Sequence, residues 1–270
     1  GAGSVQQIRF ITEELLKIAK SQNISVILIG HVTKEGVVAG PRTLEHLVDV
    51  VLYLEGERYG SNRILRGIKN RFGSTGEIGI FEMRGTGLRI IDNASLVGIE
   101  GVDSEQTGTA LFVTMEGKRA MAGAVQALVT KSNFGFPKRT ASGLNLNRLQ
   151  LLVAVLTKKA GLDLDDQDVY VKVAGGMKVD DPAVDLAVSL AVASSYLEKS
   201  FRKNIAALGE IGLSGEIRIP HMFRERLKEA EKLGFKGMVV AQKEELSKVK
   251  SELQIIQATT INDAIAKSLK

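Results

Sequence analysis

The segment Ile24-Ser25-Val26-Ile27-Leu28-Ile29-Gly30 is a nearly continuous apolar run, and it constrains the fold more than any other stretch of the chain. A strand with one wet face alternates apolar and polar residues, whereas an unbroken run suits a parallel strand covered on both faces. Just upstream, Ile8, Ile11, Leu15 and Ile18 recur at three- and four-residue steps, with Glu13, Glu14, Lys17 and Lys20 on the opposite side. That spacing predicts an amphipathic helix with Ser4 as its N-cap. A helix feeding a doubly covered strand belongs to an α/β sheet. Residues 31–41, which contain Lys34, Glu35, Gly36, Gly40 and Pro41, are too polar and glycine-rich to pack. They read as a loop leaving the strand's C-terminal end, the edge at which open α/β sheets bind ligands.

Short strands are predicted over 50–54, 63–69 and 77–83, as consecutive antiparallel additions to that sheet. The composition turns polar around 92–106, which places a domain boundary near Asn93 and divides the chain into 1–93 and 94–270. Beyond it the pattern predicts strands at 110–115, 125–129, 169–173, 205–208 and 238–241. Helices are expected at 146–158, 183–197 and 223–233, with two short helical stretches at the end. The second unit is a complete α/β domain. The first, with one helix, one buried strand and three edge strands, is half of a doubly wound sheet whose missing half is expected upstream of Gly1.

Composition narrows the chemistry. The 270 residues include no Cys, which excludes a disulfide framework, a thiolate zinc site and a cysteine nucleophile, and three scattered His residues argue against a His-only metal site. No apolar run approaches the roughly 20 residues needed to cross a bilayer, and no signal peptide is evident, so the expectation is a cytoplasmic protein with no membrane partner. Lys+Arg 36 against Asp+Glu 31 gives a net charge of +5, which permits a polyanionic partner without establishing one.

Local clusters carry more. In Lys69-Asn70-Arg71-Phe72-Gly73 two cations lie two residues apart at a strand end, so alternation puts both on one side, within reach of one anion. Spacing alone leaves open whether this is a functional site or a solvated basic turn, and the loop with His31, Lys34 and Arg42 is equally ambiguous. Lys131, Lys138 and Arg139 flank Asn133-Phe134-Gly135-Phe136-Pro137, a mixture suited to neutralising phosphates and stacking on bases, or to a hairpin packing on the core. Asp163, Asp165, Asp166 and Asp168 lack the Gly and distal Glu of a calcium loop and read as a solvated loop. His46 and His221 read as structural or solvent-facing.

The blocks Gly30-His31-Val32-Thr33-Lys34, 39–46, 52–56, Lys69-Asn70-Arg71-Phe72-Gly73 and 77–83 resemble the RadA (Sms) family of bacterial recombination and repair proteins. The resemblance runs over essentially the whole chain. It implies the C-terminal half of a RecA-like ATPase sheet followed by a Lon-protease-like (ribosomal protein S5 domain 2-like) α/β domain. It also implies a hexameric homo-oligomer that drives single-stranded and branched DNA alongside a RecA-type recombinase, using ATP and Mg²⁺. On the matching positions, His31 would sense the γ-phosphate and Lys34 and Arg42 would contact DNA in the ring channel. Lys69 and Arg71 would reach the neighbouring subunit's nucleotide as trans-acting cations, with DNA contact or interface packing as the alternative. The family's four-cysteine Zn²⁺ finger and its glycine-rich phosphate loop have no counterpart here. The expectation is therefore a fragment that binds no cofactor alone and does not itself hydrolyse ATP.

Residues 175–183, 209–217 and 224–227 resemble the Lon proteolytic domain. Such a domain cleaves peptides with a Ser nucleophile at a helix start and a Lys base about 40 residues later. Here Ala183 takes the serine's place and, counting from Gly209-Glu210, Arg224 takes the lysine's. An alanine has nothing to attack with, and a guanidinium stays protonated, so the dyad is expected to be dead. Ser189 and Ser214 are not in position to replace it. The domain is expected to act as a hexamerisation and DNA-binding scaffold, the rival readings being a Lon-like peptidase or a purely structural ring-former.

Overall fold

The computed structural model describes residues 5–30, 44–56, 62–91, 99, 101–117, 119–133, 135–243 and 251–270. The α/β class expected from the sequence is the class found. Helix α1 (Val5–Gln22) opens the chain. Strands β1 (Val50–Gly56), β2 (Asn62–Asn70), β3 (Ile78–Arg84) and β4 (Gly87–Ile90) then form an antiparallel meander in the order β1-β2-β3-β4. The expected antiparallel trio is present with a fourth strand added. The apolar run at 24–30 departs from expectation, because it forms no strand and lies open to solvent, with Ile27 87% and Ile29 90% exposed. A run of that composition is stable only between two covering layers, and no described element pairs with it or covers it. Ser4 and the boundary at Asn93 lie outside the described residues.

The second body is built on a seven-stranded sheet ordered β13-β12-β9-β5-β6-β8-β7. Its strands are β5 (Thr109–Glu116), β6 (Arg119–Lys131), β7 (Arg139–Ser142), β8 (Gln167–Val173), β9 (Ile205–Leu208), β12 (Gly237–Ala241) and β13 (Gln254–Ala258). A small hairpin of β10 (Glu210–Ile211) and β11 (Ile217–Arg218) stands apart. The helices are α2 (Leu146–Lys159), α3 (Asp185–Leu197), α4 (Phe223–Lys232) and α5 (Ile261–Ser268). Helix α5 is one of the two short helical stretches expected at the chain end, and the strand Gln254–Ala258 is an element the sequence reading did not include. It forms by parallel pairing with β12, a contact that local pattern does not encode.

Side-chain alternation explains why the central strands read as unbroken apolar runs. Ala110 and Phe112 of β5, Ile205 and Ala207 of β9, and Val239 and Ala241 of β12 join the core under α2, α3 and α5. The alternate residues Leu111, Val113, Ala206, Leu208, Met238 and Val240 join a second core that Phe223, Leu227 and Ala230 of α4 cover. Both faces are therefore dry at the centre of the sheet. Helix α3 is buried continuously from Asp185 to Ser194, which accounts for its small residues Ala, Val and Ser in place of an amphipathic stripe.

The meander leans on this body through Ile80 and Met121, both nearly inaccessible, with Ile78, Ile91 and Met177 around them. Arg66 bridges Glu55 of β1 and Glu116 at the end of β5. Gly117, at φ +60°, lets the β5–β6 turn approach Gly76, whose carbonyl oxygen would lie 2.5 Å from any added Cβ. No helix among the described residues is long and apolar enough to cross a membrane.

Gly108 immediately precedes β5 at φ +78°, with its N–H donating to Ser194 Oγ (2.8 Å) and its carbonyl accepting from Ala127 N–H (2.7 Å). A Cβ there would overlap the Ala127 carbonyl oxygen. Gly108→Ala is expected to destabilise the chain by about 1–3 kcal/mol, through overpacking and backbone strain, read as a lower denaturant midpoint at unchanged m.

Candidate functional site: the basic bend and the Asp181 corner

The bend after β2 is shaped by Asn70, whose side-chain oxygen accepts the N–H of Phe72 (3.0 Å) and closes a tight turn. Phe72 is left 81% exposed at the tip. Lys69 and Arg71 do share a side, as alternation predicted, and both grip one short segment. Lys69 Nζ donates to the carbonyls of Glu45 (2.8 Å) and His46 (3.5 Å). Arg71 donates from its backbone N–H to Asp49 O (3.0 Å) and from Nη1 to Asp49 Oδ1 (3.0 Å). The bend itself stays open to solvent. His31, Lys34 and Arg42 lie outside the described residues.

A second constellation forms where the protease-like motif was read. Asp181 caps the 3-10 turn Pro182–Val184 by accepting the Ala183 N–H at Oδ1 (3.0 Å). Its Oδ2 accepts from Met115 N–H (3.0 Å), Thr114 Oγ1 (3.0 Å) and Arg226 Nη1 (2.5 Å). Arg226 also donates to Val113 O (3.0 Å) and, from Nε, to His221 O (2.9 Å). Burial pushes the Asp181 carboxyl up, but the Arg226 guanidinium with the Met115 and Ala183 amides outweighs it and holds the group below the usual carboxylate range. The residue meeting the Ala183 corner is thus Arg226. Arg224 is exposed on α4 and is not brought to Ala183, because residues two apart on a helix face nearly opposite ways. Ala183 is fully buried and carries no nucleophile. Ser189 is buried within α3, and Ser214 donates to Glu216 in the β10–β11 hairpin, so neither joins Ala183. Glu216 is drawn down to about 2 by the Ser214 hydroxyl, with a backbone amide and Arg218 adding to it. An arrangement with an alanine and a carboxylate-bound guanidinium has neither attacking group nor base.

The hairpin cations separate into two kinds. Lys131 and Lys138 are exposed, and Phe136 between them is 85% exposed; Phe134 lies outside the described residues. Arg139 is committed to backbone, donating to the carbonyls of Gln167, Leu164 (2.7 Å) and Lys138 (3.2 Å). Of the acidic stretch, Asp163, Asp165 and Asp166 are exposed as expected, and Asp168 departs from the expectation. Asp168 is buried and accepts the Lys138 N–H (2.7 Å), which holds its carboxyl low. Carbonyl capture by a guanidinium has no sequence periodicity, so neither contact could be read in advance.

A family described as subunit ChlI of Mg-chelatase matches residues 145–244, which lie entirely within the second body. Proteins named DNA repair protein RadA align with almost the whole chain. The one from Streptococcus pneumoniae is 51% identical over 98% of this chain and 63% of its own length. Those from Listeria monocytogenes and Bacillus subtilis are 49% and 47% identical over 99% of this chain, and over 59% and 58% of their own lengths. The chain therefore spans about three fifths of these curated relatives.

Arg226→Ala is expected to cost about 3–5 kcal/mol, because it leaves a buried carboxylate facing no cation, while Arg224→Ala stays within about 0.5 kcal/mol. Asp181 and Glu216 both have depressed folded values. The stability Glu216 adds is present above about pH 4 and is lost as pH falls toward about 2, and that of Asp181 is lost as pH falls below the ordinary carboxylate range. Denaturant titrations across that window should show the loss, with the Asp181 share absent from Asp181→Asn.

Proposed function

This chain belongs to the RadA family, and from that premise we propose that it is part of an ATP-driven DNA repair motor that moves single-stranded DNA through branched recombination intermediates. In this reading the motor is a hexameric ring working beside a RecA-type recombinase. The meander presents Lys69 and Arg71 to the nucleotide of the neighbouring subunit, where they neutralise charge on the transferred phosphoryl group. His31 senses the γ-phosphate, and Lys34 and Arg42 contact DNA. The second body holds the ring together and offers Lys131, Lys138 and Phe136 as a platform for nucleic acid, with Arg139 now assigned to holding the hairpin's shape.

The observation that carries this reading is the exposed bend at residues 69–73, where two cations are fixed side by side on one turn while the tip faces outward. The chain's own residues do not make a complete nucleotide or zinc site: it has no glycine-rich phosphate loop and no Cys. Among the described residues no group of three His, Asp or Glu is placed to hold a metal. The peptidase alternative is disfavoured by Ala183 and by the engagement of Arg226 with Asp181.

Single-stranded DNA binding measured between about 50 and 200 mM salt should fall steeply, and Lys131→Ala and Lys138→Ala should each flatten the log–log slope by about 0.7. Arg139→Ala should lower stability and leave the slope alone. A salt-independent affinity would remove the platform from this reading. In the full-length protein Lys69→Ala should abolish DNA-stimulated strand movement, and undiminished branch migration would refute the trans-acting role.

A further inference from the structure

The segment that Lys69 and Arg71 grip is a turn in its own right. Leu47 N–H and Val48 N–H both return to Leu44 O (2.9 and 3.1 Å), so 44–48 closes as a helical turn whose carbonyls face onward. Lys69 takes the carbonyls of Glu45 and His46, as a cation at a helix C-terminus does. The Glu45 carboxylate is occupied separately, accepting from Tyr53 Oη at 2.7 Å. Lys69 is thus held by neutral groups. Arg71 is held by the ionic group of Asp49, through Nη1, in a side chain still 57% exposed. Among the described residues no other side chain takes the rest of its fork.

A β-bulge makes this geometry available. Val51 pairs with Lys69 but Leu52 pairs with Gly67, so Ile68 is an extra residue in β2. Directly opposed residues share a face, which puts Lys69 with Val51 and hence with Tyr53, whose partner is Arg66. Without the extra residue Lys69 would fall on the opposite face from Arg66. The bulge re-aims Lys69 toward the 44–49 turn, the kind of local correction bulges supply beside functional sites.

We infer that the turn Leu44–Asp49 is the positioning element for the two cations, and that Asp49 is a positioning residue which fixes the Arg71 guanidinium for a nucleoside triphosphate bound by the neighbouring subunit. The inference rests on the trans-acting reading given above. Asp49 restrains one arm of the fork and leaves the others to the phosphoryl oxygens, so it acts on turnover and leaves nucleotide affinity alone.

The test is DNA-stimulated ATP hydrolysis by the full-length protein, with kcat and KM measured separately. Asp49→Ala should lower kcat on the order of 10- to 100-fold with KM for ATP within about twofold. Asp49→Asn, which keeps an acceptor, should recover most of the rate. Asp49→Ala/Arg71→Ala should be no slower than Arg71→Ala alone, because both remove one device. Additive losses, or a normal kcat in Asp49→Ala, overturn the inference. Should Asp49→Ala fail to fold, Asp49→Glu decides, since it keeps the charge and displaces the guanidinium: reduced kcat supports the inference and normal kcat overturns it. Normal turnover in Arg71→Ala would instead bring down the trans-acting reading on which this inference stands.

Discussion

A buried ion pair fastens distant pieces of the second body together. Asp181 and Arg226 tie together the end of β5, the turn that starts α3, and helix α4, three pieces more than forty residues apart in places. Charges taken out of water are costly unless every lone pair and proton finds a partner. Here the carboxylate accepts from two backbone amides, a hydroxyl and a guanidinium, and the guanidinium also serves two carbonyls. Alternating apolar layers supply most of the burial, but they are non-directional. The pair sets how α4 lies across the sheet and where α3 begins.

The meander depends on a different device. Its cations are held by a short turn of their own chain, with a bulge at Ile68 setting the phase of the strand. The two bodies meet over Ile80 and Met121, with the Arg66 bridge and the close approach of Gly76 and Gly117 alongside. The basic bend thus ends the same strand, β2, whose Arg66 reaches the second body.

Much of this architecture was legible in the sequence because it is periodic. The helix steps of α1, α2 and α4, the apolar runs of β5, β9 and β12, and the basic bend at 69–73 all lie where spacing put them. The failures share a cause as well. Ile24–Gly30 has the composition of a doubly covered strand, yet composition carries no information about whether the covering layers are at hand. Gln254–Ala258 is a strand because β12 pairs with it, a non-local fact. Arg224 and Arg226 both lie near the expected spacing from Ala183, and only the rotation of α4 separates the exposed one from the buried one. Arg139 and Asp168 looked like surface charges because capture by main-chain groups leaves no mark in the residue pattern.

The Asp181 corner also limits what single substitutions can do there. A serine at position 183 would still find in Arg226 a guanidinium that cannot accept its proton. Exchanging the arginine would unseat the carboxylate that anchors two elements of the fold. Neither single step supplies a hydrolytic pair, so the corner is held as architecture from both directions.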